Sequence, residues 1–387
     1  MQFRDLKKQY QFLAEDIDHA VQQVCIESNF ISGSQVVELE KKLAAYVQVK
    51  HCITCGNGTD ALTLALMVWD IGVGDAVFVP DFTFFASGET PAYAGATPVF
   101  VDVEEDTFNI SPDSLEETII QIKKEEKLNP RVIVAVDLFG QPADYRRIRK
   151  IADKYGLYIL EDGAQGFGGR IGEQRACSFG DISTTSFFPA KPFGCYGDGG
   201  AVFTDNDEWA ELLRSYRIHG KGNDKYDNIR IGVNSRLDTL QAAVLLVKLK
   251  AFEEYELTAV NKVAERYREE LGNVVKTPQI RENVFSSWAQ YSILLKDEEE
   301  RDGLQTYLKE KGIPTMVYYP KPMSRQRAFQ GMDCVKTDLS VTKDICRRVL
   351  ALPMHPYMTE EDQQKVVTEV KRYLSDNTMN RCGEVHR

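Results

Sequence analysis

Between residues 76 and 161, short and continuously apolar runs alternate with stretches of helical pattern, and this alternation limits the fold more than any other feature. Ala76 to Pro80 (AVFVP), Thr97 to Asp102 (TPVFVD), Val132 to Val136 (VIVAV) and Leu157 to Glu161 (LYILE) read as strands. Unbroken apolar character means burial on both faces. Thr59 to Asp70, Pro112 to Glu126 and Pro142 to Tyr155 read as the helices between them. Strand–helix–strand units at this spacing imply right-handed crossovers and a mostly parallel sheet covered on both sides.

Two further strands, Ser183 to Phe187 and Ala201 to Thr204, extend the pattern. A helical stretch then runs from Leu237 to about Leu271, long enough to bridge two domains. Beyond it lies a smaller α/β unit, with Ser286 to Leu295 as a strand and helices at Glu299 to Lys311 and Glu360 to Ser375. The tail after Asn377 has no apolar pattern and is expected to fray. The chain is therefore expected to be α/β. Its large domain spans residues 1–250, with a mostly parallel central sheet, and its smaller C-terminal α/β domain spans 251–387.

Composition excludes several classes. The net charge of −11 opposes a nucleic-acid footprint and docking on an anionic membrane. No apolar run reaches membrane-spanning length, and the opening MQFRDLKKQYQF has no signal-peptide core. Eight scattered cysteines in 387 residues fit reduced thiols in a cytoplasmic protein. Cys52 and Cys55 form a CxxC, but no second CxxC or CxxH completes a zinc site, so they read as buried thiols at a strand end. The five histidines show no metal-ligand spacing, and no metal is expected.

Three segments carry chemistry. In Thr185-Ser-Phe-Phe-Pro-Ala-Lys191-Pro-Phe-Gly, a strand end leads into one lysine and a run containing four glycines. Apolar flanks would desolvate the amine and lower its pKa, as a Schiff-base lysine requires, and the glycines let backbone approach a ligand. A surface lysine is the alternative. In Ile159-Leu-Glu-Asp162-Gly-Ala-Gln165, Asp162 stands at the carboxyl end of a buried strand, where open α/β sheets bind ligands. A carboxylate there can pair with a protonated pyridine nitrogen; a turn or N-cap aspartate is the alternative. In Cys55-Gly-Asn-Gly-Thr59-Asp-Ala-Leu, glycines lead into a helix whose free N–H groups suit a phosphate, although ordinary capping explains the same text. Asp60 brings a like charge to that spot, so its side chain is expected to turn away.

An anion cradle, an aspartate and a lysine about 30 residues later, in that order, resemble the fold-type I pyridoxal-phosphate (PLP) enzymes. Among these the chain is similar to the DegT/DnrJ/EryC1/StrS sugar-nucleotide aminotransferases. The likeness runs from Phe3-Arg-Asp-Leu to Leu352-Pro-Met-His-Pro356. It includes Asn57-Gly-Thr-Asp-Ala-Leu62, Phe82-Thr-Phe-Phe-Ala-Ser87, Glu161-Asp-Gly-Ala-Gln165, Ser186-Phe-Phe-Pro-Ala-Lys191 and Gly232-Val-Asn-Ser-Arg-Leu-Asp238.

The resemblance implies that Lys191 holds the cofactor and shuttles a proton, with PLP passing through pyridoxamine phosphate. It implies that Asp162 pairs with the pyridine nitrogen, Gln165 with the ring hydroxyl, and Phe84 with the ring face, unless Phe84 is a core aromatic. Gly58, Thr59 and Ser186 would form the phosphate cradle. Asn234, from sequence a polar residue before a helix, would reach that phosphate from the neighbouring subunit of a homodimer.

The spellings around Lys191 and Asn234 are similar to the branch that aminates C3 of UDP-2-acetamido-2-deoxy-3-keto-hexuronic acid, with L-glutamate as donor, for surface polysaccharide (O-antigen) synthesis. Branches acting on 4-keto sugars more often carry histidine where Phe188 stands, and the related dehydratases carry histidine in place of the lysine. By the same likeness, Ser28, Phe30, Ala190, Arg236, Tyr318 and Tyr319 would meet the nucleotide sugar. Arg236 offers a planar fork for a carboxylate, or is a surface arginine at a helix start. Tyr318 and Ala190 depart from the histidine and serine of close relatives. A 3-keto or 4-keto deoxysugar substrate, or a PLP-binding regulator without turnover, are the rival readings.

Overall fold

The computed structural model describes residues 1–224 and 226–384, with side chains through Asp376. Its centre is a seven-stranded sheet. In chain order the strands are β1 (His51–Cys55), β2 (Asp75–Pro80), β3 (Thr97–Val101), β4 (Asn129–Val136) and β5 (Tyr158–Asp162). The short β6 (Arg170–Ile171) and β7 (Gln174–Arg175) lie outside this sheet; β8 (Ile182–Ser186) and β9 (Gly200–Thr204) complete it. The spatial order is β1-β9-β8-β5-β4-β2-β3. All neighbours are parallel except at β9, which runs antiparallel to both β1 and β8.

The strands pair as their apolar runs require. Every residue of β2 is buried, and so is Val132–Val136 of β4. One face packs against α3 (Gly58–Val68), which buries Ala61, Leu62, Leu64, Ala65 and Leu66. Burying a side chain of leucine size contributes about 1.5–3 kcal/mol, so this short helix is held by its contacts more than by its propensity. The other face packs against the helices Pro112–Glu125 and Tyr145–Tyr155. The first begins at an Ser111 N-cap with Pro112 in its first turn and ends on Lys123 and Lys124, the charge order a helix dipole favours.

The expected long helix is present but interrupted in pitch. Thr239–Ala251 is α-helical, Phe252–Glu256 forms a wider π turn, and Leu257–Leu271 is α-helical again. The expected division at residues 250 and 251 falls inside this continuous rod. Beyond it, Tyr291–Leu294 pairs antiparallel with Val349–Leu352 to form a two-stranded sheet. That strand is shorter than the expected Ser286 to Leu295 because Ser286, Ser287 and Gln290 bond to loop backbone or side chains instead. The last helix, Glu360–Glu384, continues past the expected end at Ser375.

The N-terminal half adds elements that the strand pattern did not announce. The helix Leu6–Glu27 packs Leu13 and Ile17 against Val244 and Ala251 of the long rod. Cys52 and Cys55 are buried thiols on β1.

Candidate active site

A cavity of about 650 Å³ opens at the carboxyl ends of the parallel strands. Val136 comes from β4, Asp162 from β5 and Ser186 from β8. This is where an open α/β sheet exposes strand ends and helix starts to a ligand. The first turn of α3 supplies Asn57, Gly58 and Thr59 to one wall, while Phe84, Ala190 and Lys191 line others.

Close backbone approach shapes the cradle. A Cβ on Gly58 would sit 2.6 Å from the Cβ of Ser186, so glycine is required where the helix start meets the β8 end. A Cβ on Gly200 would lie 2.5 Å from the carbonyl oxygen of Asn57, which locks β9 against the same helix start. Asn57 caps α3 by accepting from the Asp60 N–H at 2.8 Å. The Asp60 carboxylate accepts from the Ser235 hydroxyl at 2.6 Å, although the residue still borders the cavity. Its charge is thus turned to a partner, as a neighbouring anion would require.

Asp162 is 6% exposed and doubly held: Ser87 donates to it at 2.8 Å and the Ala164 N–H at 3.2 Å. It is therefore no free turn aspartate. Gln165 accepts from the Phe139 N–H at 2.8 Å and donates to the Tyr319 hydroxyl at 3.2 Å. Burial pushes the Tyr319 hydroxyl well above the usual phenol range, so it stays protonated. Phe84 is 53% exposed and borders the cavity, which removes the core-aromatic alternative. The Lys191 ammonium lies 5.9 Å from the centre of the Phe84 ring. Desolvation holds the Lys191 pKa below the ordinary lysine value, partly countered by the Asp162 charge.

This arrangement fits PLP on grounds the structure itself supplies. Its helix-start cradle is too tight for a side chain at position 58, its strand-end carboxylate is fixed by two donors, and its amine has a lowered pKa beside an exposed ring.

Four expected residues do not border this cavity. Ser28 is the left-handed C-cap of the first helix, its hydroxyl donating to the Cys25 carbonyl. Phe30 is 45% exposed, and its carbonyl accepts from the Thr239 N–H at 2.9 Å. Asn234 bridges to Ile218 by an isolated β pair. Arg236 lines a separate surface cavity of about 990 Å³ with His219, Lys221 and Arg230. Conversely, Ser87 and Gln290 belong to the site and were not singled out from sequence, although Ser87 stood in the quoted Phe82–Ser87 segment.

A mostly parallel sheet with a desolvated lysine and an anchored strand-end aspartate around one cavity defines a PLP-dependent aminotransferase. The chain belongs to the DegT/DnrJ/EryC1/StrS aminotransferase family, whose pattern matches residues 11–371. It is 44% identical over 359 residues to the UDP-2-acetamido-2-deoxy-3-oxo-D-glucuronate aminotransferase of Pseudomonas aeruginosa, covering 92% of this chain and 96% of that one. The crystal structure of a DegT/DnrJ/EryC1/StrS aminotransferase from Brucella abortus superposes with a TM-score of 0.94 at 48% identity, covering 96% of this chain and 99% of the other. Streptomyces venezuelae DesV, solved with a ketimine intermediate, superposes with a TM-score of 0.90 at 33% identity, covering 96% and 98%.

Proposed function

We infer that the protein moves an amino group from L-glutamate to C3 of UDP-2-acetamido-2-deoxy-3-keto-hexuronic acid, a cytoplasmic step that supplies surface polysaccharide such as O-antigen. The observation that carries this reading is the likeness to the Pseudomonas enzyme across nearly the whole chain. The basic cavity around Arg236 adds support, because a uronate joined to a diphosphate carries negative charge at both ends.

In this reading Lys191 carries the cofactor and, when released from it, moves a proton on and off the carbon that gains or loses nitrogen. Its lowered pKa suits both tasks, since the free amine is the nucleophile and the base. Asp162, held by Ser87 and the Ala164 N–H, would pair with the ring nitrogen of the cofactor. Bound PLP supplies an electron sink and a carrier for the amino group. Gly58, Thr59 and Ser186 hold its phosphate, Phe84 covers one ring face, and Gln165 meets the ring hydroxyl. Ala190, Tyr318 and Tyr319 border the sugar, while Ser28, Phe30 and Arg236 meet the nucleotide or the carboxylate. Asn234 serves the cavity of a second copy in a homodimer, which accords with its place outside its own chain's cavity. Ile231, 90% exposed, and Ile26, 67% exposed, give such a partner apolar surface to cover.

The test is a panel of 3-keto and 4-keto sugar nucleotides, with and without the uronate carboxyl, offered to purified enzyme with glutamate. Preference for the 3-keto uronate is the expected result. A preference for a 4-keto or a 6-hydroxy sugar would move the assignment to another branch.

A further inference from the structure

The two ends of the family-like text, Phe3-Arg-Asp-Leu and Leu352-Pro-Met-His-Pro356, meet in space, and the reaction as described uses neither. The Met354 N–H donates to the Phe3 carbonyl at 3.2 Å. Phe3 also packs edge-on against Tyr318 at 6.2 Å. This contact lays the N-terminal segment against the loop that carries Lys191. There Arg4 donates to the Lys191 carbonyl at 2.6 Å and reaches the Pro192 carbonyl at 3.4 Å. From the long rod, Lys248 donates to the carbonyl of Gly194. Lys248 is 2% exposed, an unusual place for a lysine.

A third buried charge explains how two cations persist here. Desolvation lowers the pKa of both Arg4 and Lys248, and Glu256, 3% exposed in the π turn of the rod, partly counters it. Glu256 accepts from Gln9 at 2.7 Å and from the Tyr357 hydroxyl at 2.7 Å. Buried charges are tolerated when paired and hydrogen-bonded, and removing one partner is costly. The loop they grip has little slack: a Cβ on Gly194 would lie 2.5 Å from the Phe188 carbonyl oxygen, and the Lys191 N–H already donates to that same oxygen at 2.8 Å.

We propose that Arg4 and Lys248, with Glu256 as their shared countercharge, are positioning residues that clasp the carbonyls of Lys191, Pro192 and Gly194 and so aim the Lys191 amine into the cavity. The proposal rests on Lys191 being the cofactor lysine. Two cations on carbonyls of one short loop, Arg4 at Lys191 and Pro192 and Lys248 at Gly194, fix the loop at two points, which removes the rotation that one hydrogen bond leaves free. Arg4 acts on the amine a second way. Its charge, with desolvation, opposes the protonated form of Lys191, while Asp162 favours it. The charged and titratable groups facing this cluster are Asp162 and Arg4 at Lys191, Glu256 and His355 at Arg4, Glu256, Arg4, Cys195 and Tyr196 at Lys248, and Tyr357 at Glu256. A misplacement of about 1 Å at a reacting group can cost on the order of a hundredfold in rate, so a clasp remote from the substrate has leverage on kcat.

The test uses the holoenzyme. Borohydride reduction and peptide mapping first establish which lysine carries the cofactor; a label away from Lys191 overturns both the site assignment and the clasp. With the label on Lys191, Arg4→Gln and Arg4→Lys are compared with wild type by kcat, KM and the pH midpoint of the cofactor's visible absorption band. Arg4→Gln should lower kcat by about tenfold or more with KM for glutamate little changed. It should also raise the spectroscopic midpoint, because a cation near the amine is gone. Arg4→Lys should restore the midpoint but only part of kcat, since it keeps the charge and loses the fork. A merely structural arginine would lower the melting temperature and leave the midpoint in place. An unshifted midpoint together with kcat within about twofold of wild type in both variants overturns the clasp and leaves the Lys191 assignment standing. Should Arg4→Gln fail to fold, the Lys248→Met single variant releases one end of the clasp and leaves Arg4 facing its countercharge Glu256. A fall in its kcat at unchanged KM supports the clasp, and an unchanged kcat overturns it.

Discussion

The cavity we assign to the cofactor and the cavity around Arg236 are built by opposite means. In the first, of about 650 Å³, strand ends and a helix start converge, and the polar groups are already held. Asp162 has Ser87 and a backbone N–H, and Gln165 has Phe139 and Tyr319. In the second, of about 990 Å³, basic side chains lie on a segment whose Ile229 and Ile231 are 56% and 90% exposed. Its Arg230 is braced by Ser215, but its apolar rim faces solvent. In the function we propose, a single chain thus preorganises the half of the site that does chemistry on every substrate. The half that would tell one sugar from another lies on open surface and, in our reading, is finished by a second copy.

The largest effects belong to the preorganised cavity. Lys191→Ala removes the anchor and the proton carrier together, and proton transfer alone contributes about 10²–10⁴-fold. We expect turnover to fall by at least about 10³-fold, measured as glutamate-dependent amination; near-normal turnover would sink the assignment. Asp162→Asn keeps the shape and the Ala164 contact but loses the charge. Loss of one preorganised electrostatic group costs roughly 10²–10³-fold in kcat, and cofactor affinity should change far less. An equal loss in kcat and in affinity would make Asp162 a tether and blur the contrast between the two cavities.

The same contrast divides what sequence could and could not show. The central strands were legible because parallel strands buried on both faces leave unbroken apolar runs, as in Asp75–Pro80 and Val132–Val136. Asp162 could be singled out because it ends such a strand, and Lys191 because apolar flanks and glycines surround it after a strand end. Glu161 could not be, although it is wholly buried beside Asp162. It accepts from the N–H groups of Phe179 and Gly180 and from the Ser183 hydroxyl, partners that lie 18 to 22 residues away in sequence. Arg4 was hidden for the same reason, since its partner loop is 187 residues distant. The helix Ser34–Val47 was overlooked because its apolar positions follow directly on a turn, with a Gly33 cap that offers no side-chain signal. The first strand, His51–Cys55, was anticipated only through its two thiols, since it is short and carries polar His51 and Thr54.

In the open cavity the expected effect is smaller. Arg236→Lys keeps the charge and gives up a bidentate contact. A hydrogen bond to a charged group contributes about 1.5–3 kcal/mol, of which lysine should retain part. We expect roughly tenfold or less loss in kcat/KM for the uronate, and a narrower preference over the matching 6-hydroxy sugar. An unchanged preference would assign Arg236 to the diphosphate or to a structural contact, and the open cavity would lose its claim to select the sugar acid.

The smallest signal is the most direct test of the comparison, because it asks whether the open half of one chain serves the closed half of another. Lys191→Ala disables the preorganised cavity. Asn234→Glu sets a carboxylate where a phosphate is expected and disables the other part. Each variant alone forms dimers with two dead sites. A two-fold interface is isologous, so a mixed dimer has two equivalent composite positions. If Asn234 serves its partner, one composite site receives both defects and the other receives neither. Refolding equal amounts yields about half mixed dimers, each with one intact site, so about a quarter of wild-type activity should return. If Asn234 serves its own chain's cavity, every site in every dimer carries one defect and no activity returns on mixing. Subunit exchange is checked by tagging one variant and recovering the other with it. Silence after confirmed exchange would mean that a single chain builds both halves. The exposed apolar rim around Ile231 would then need a different occupant.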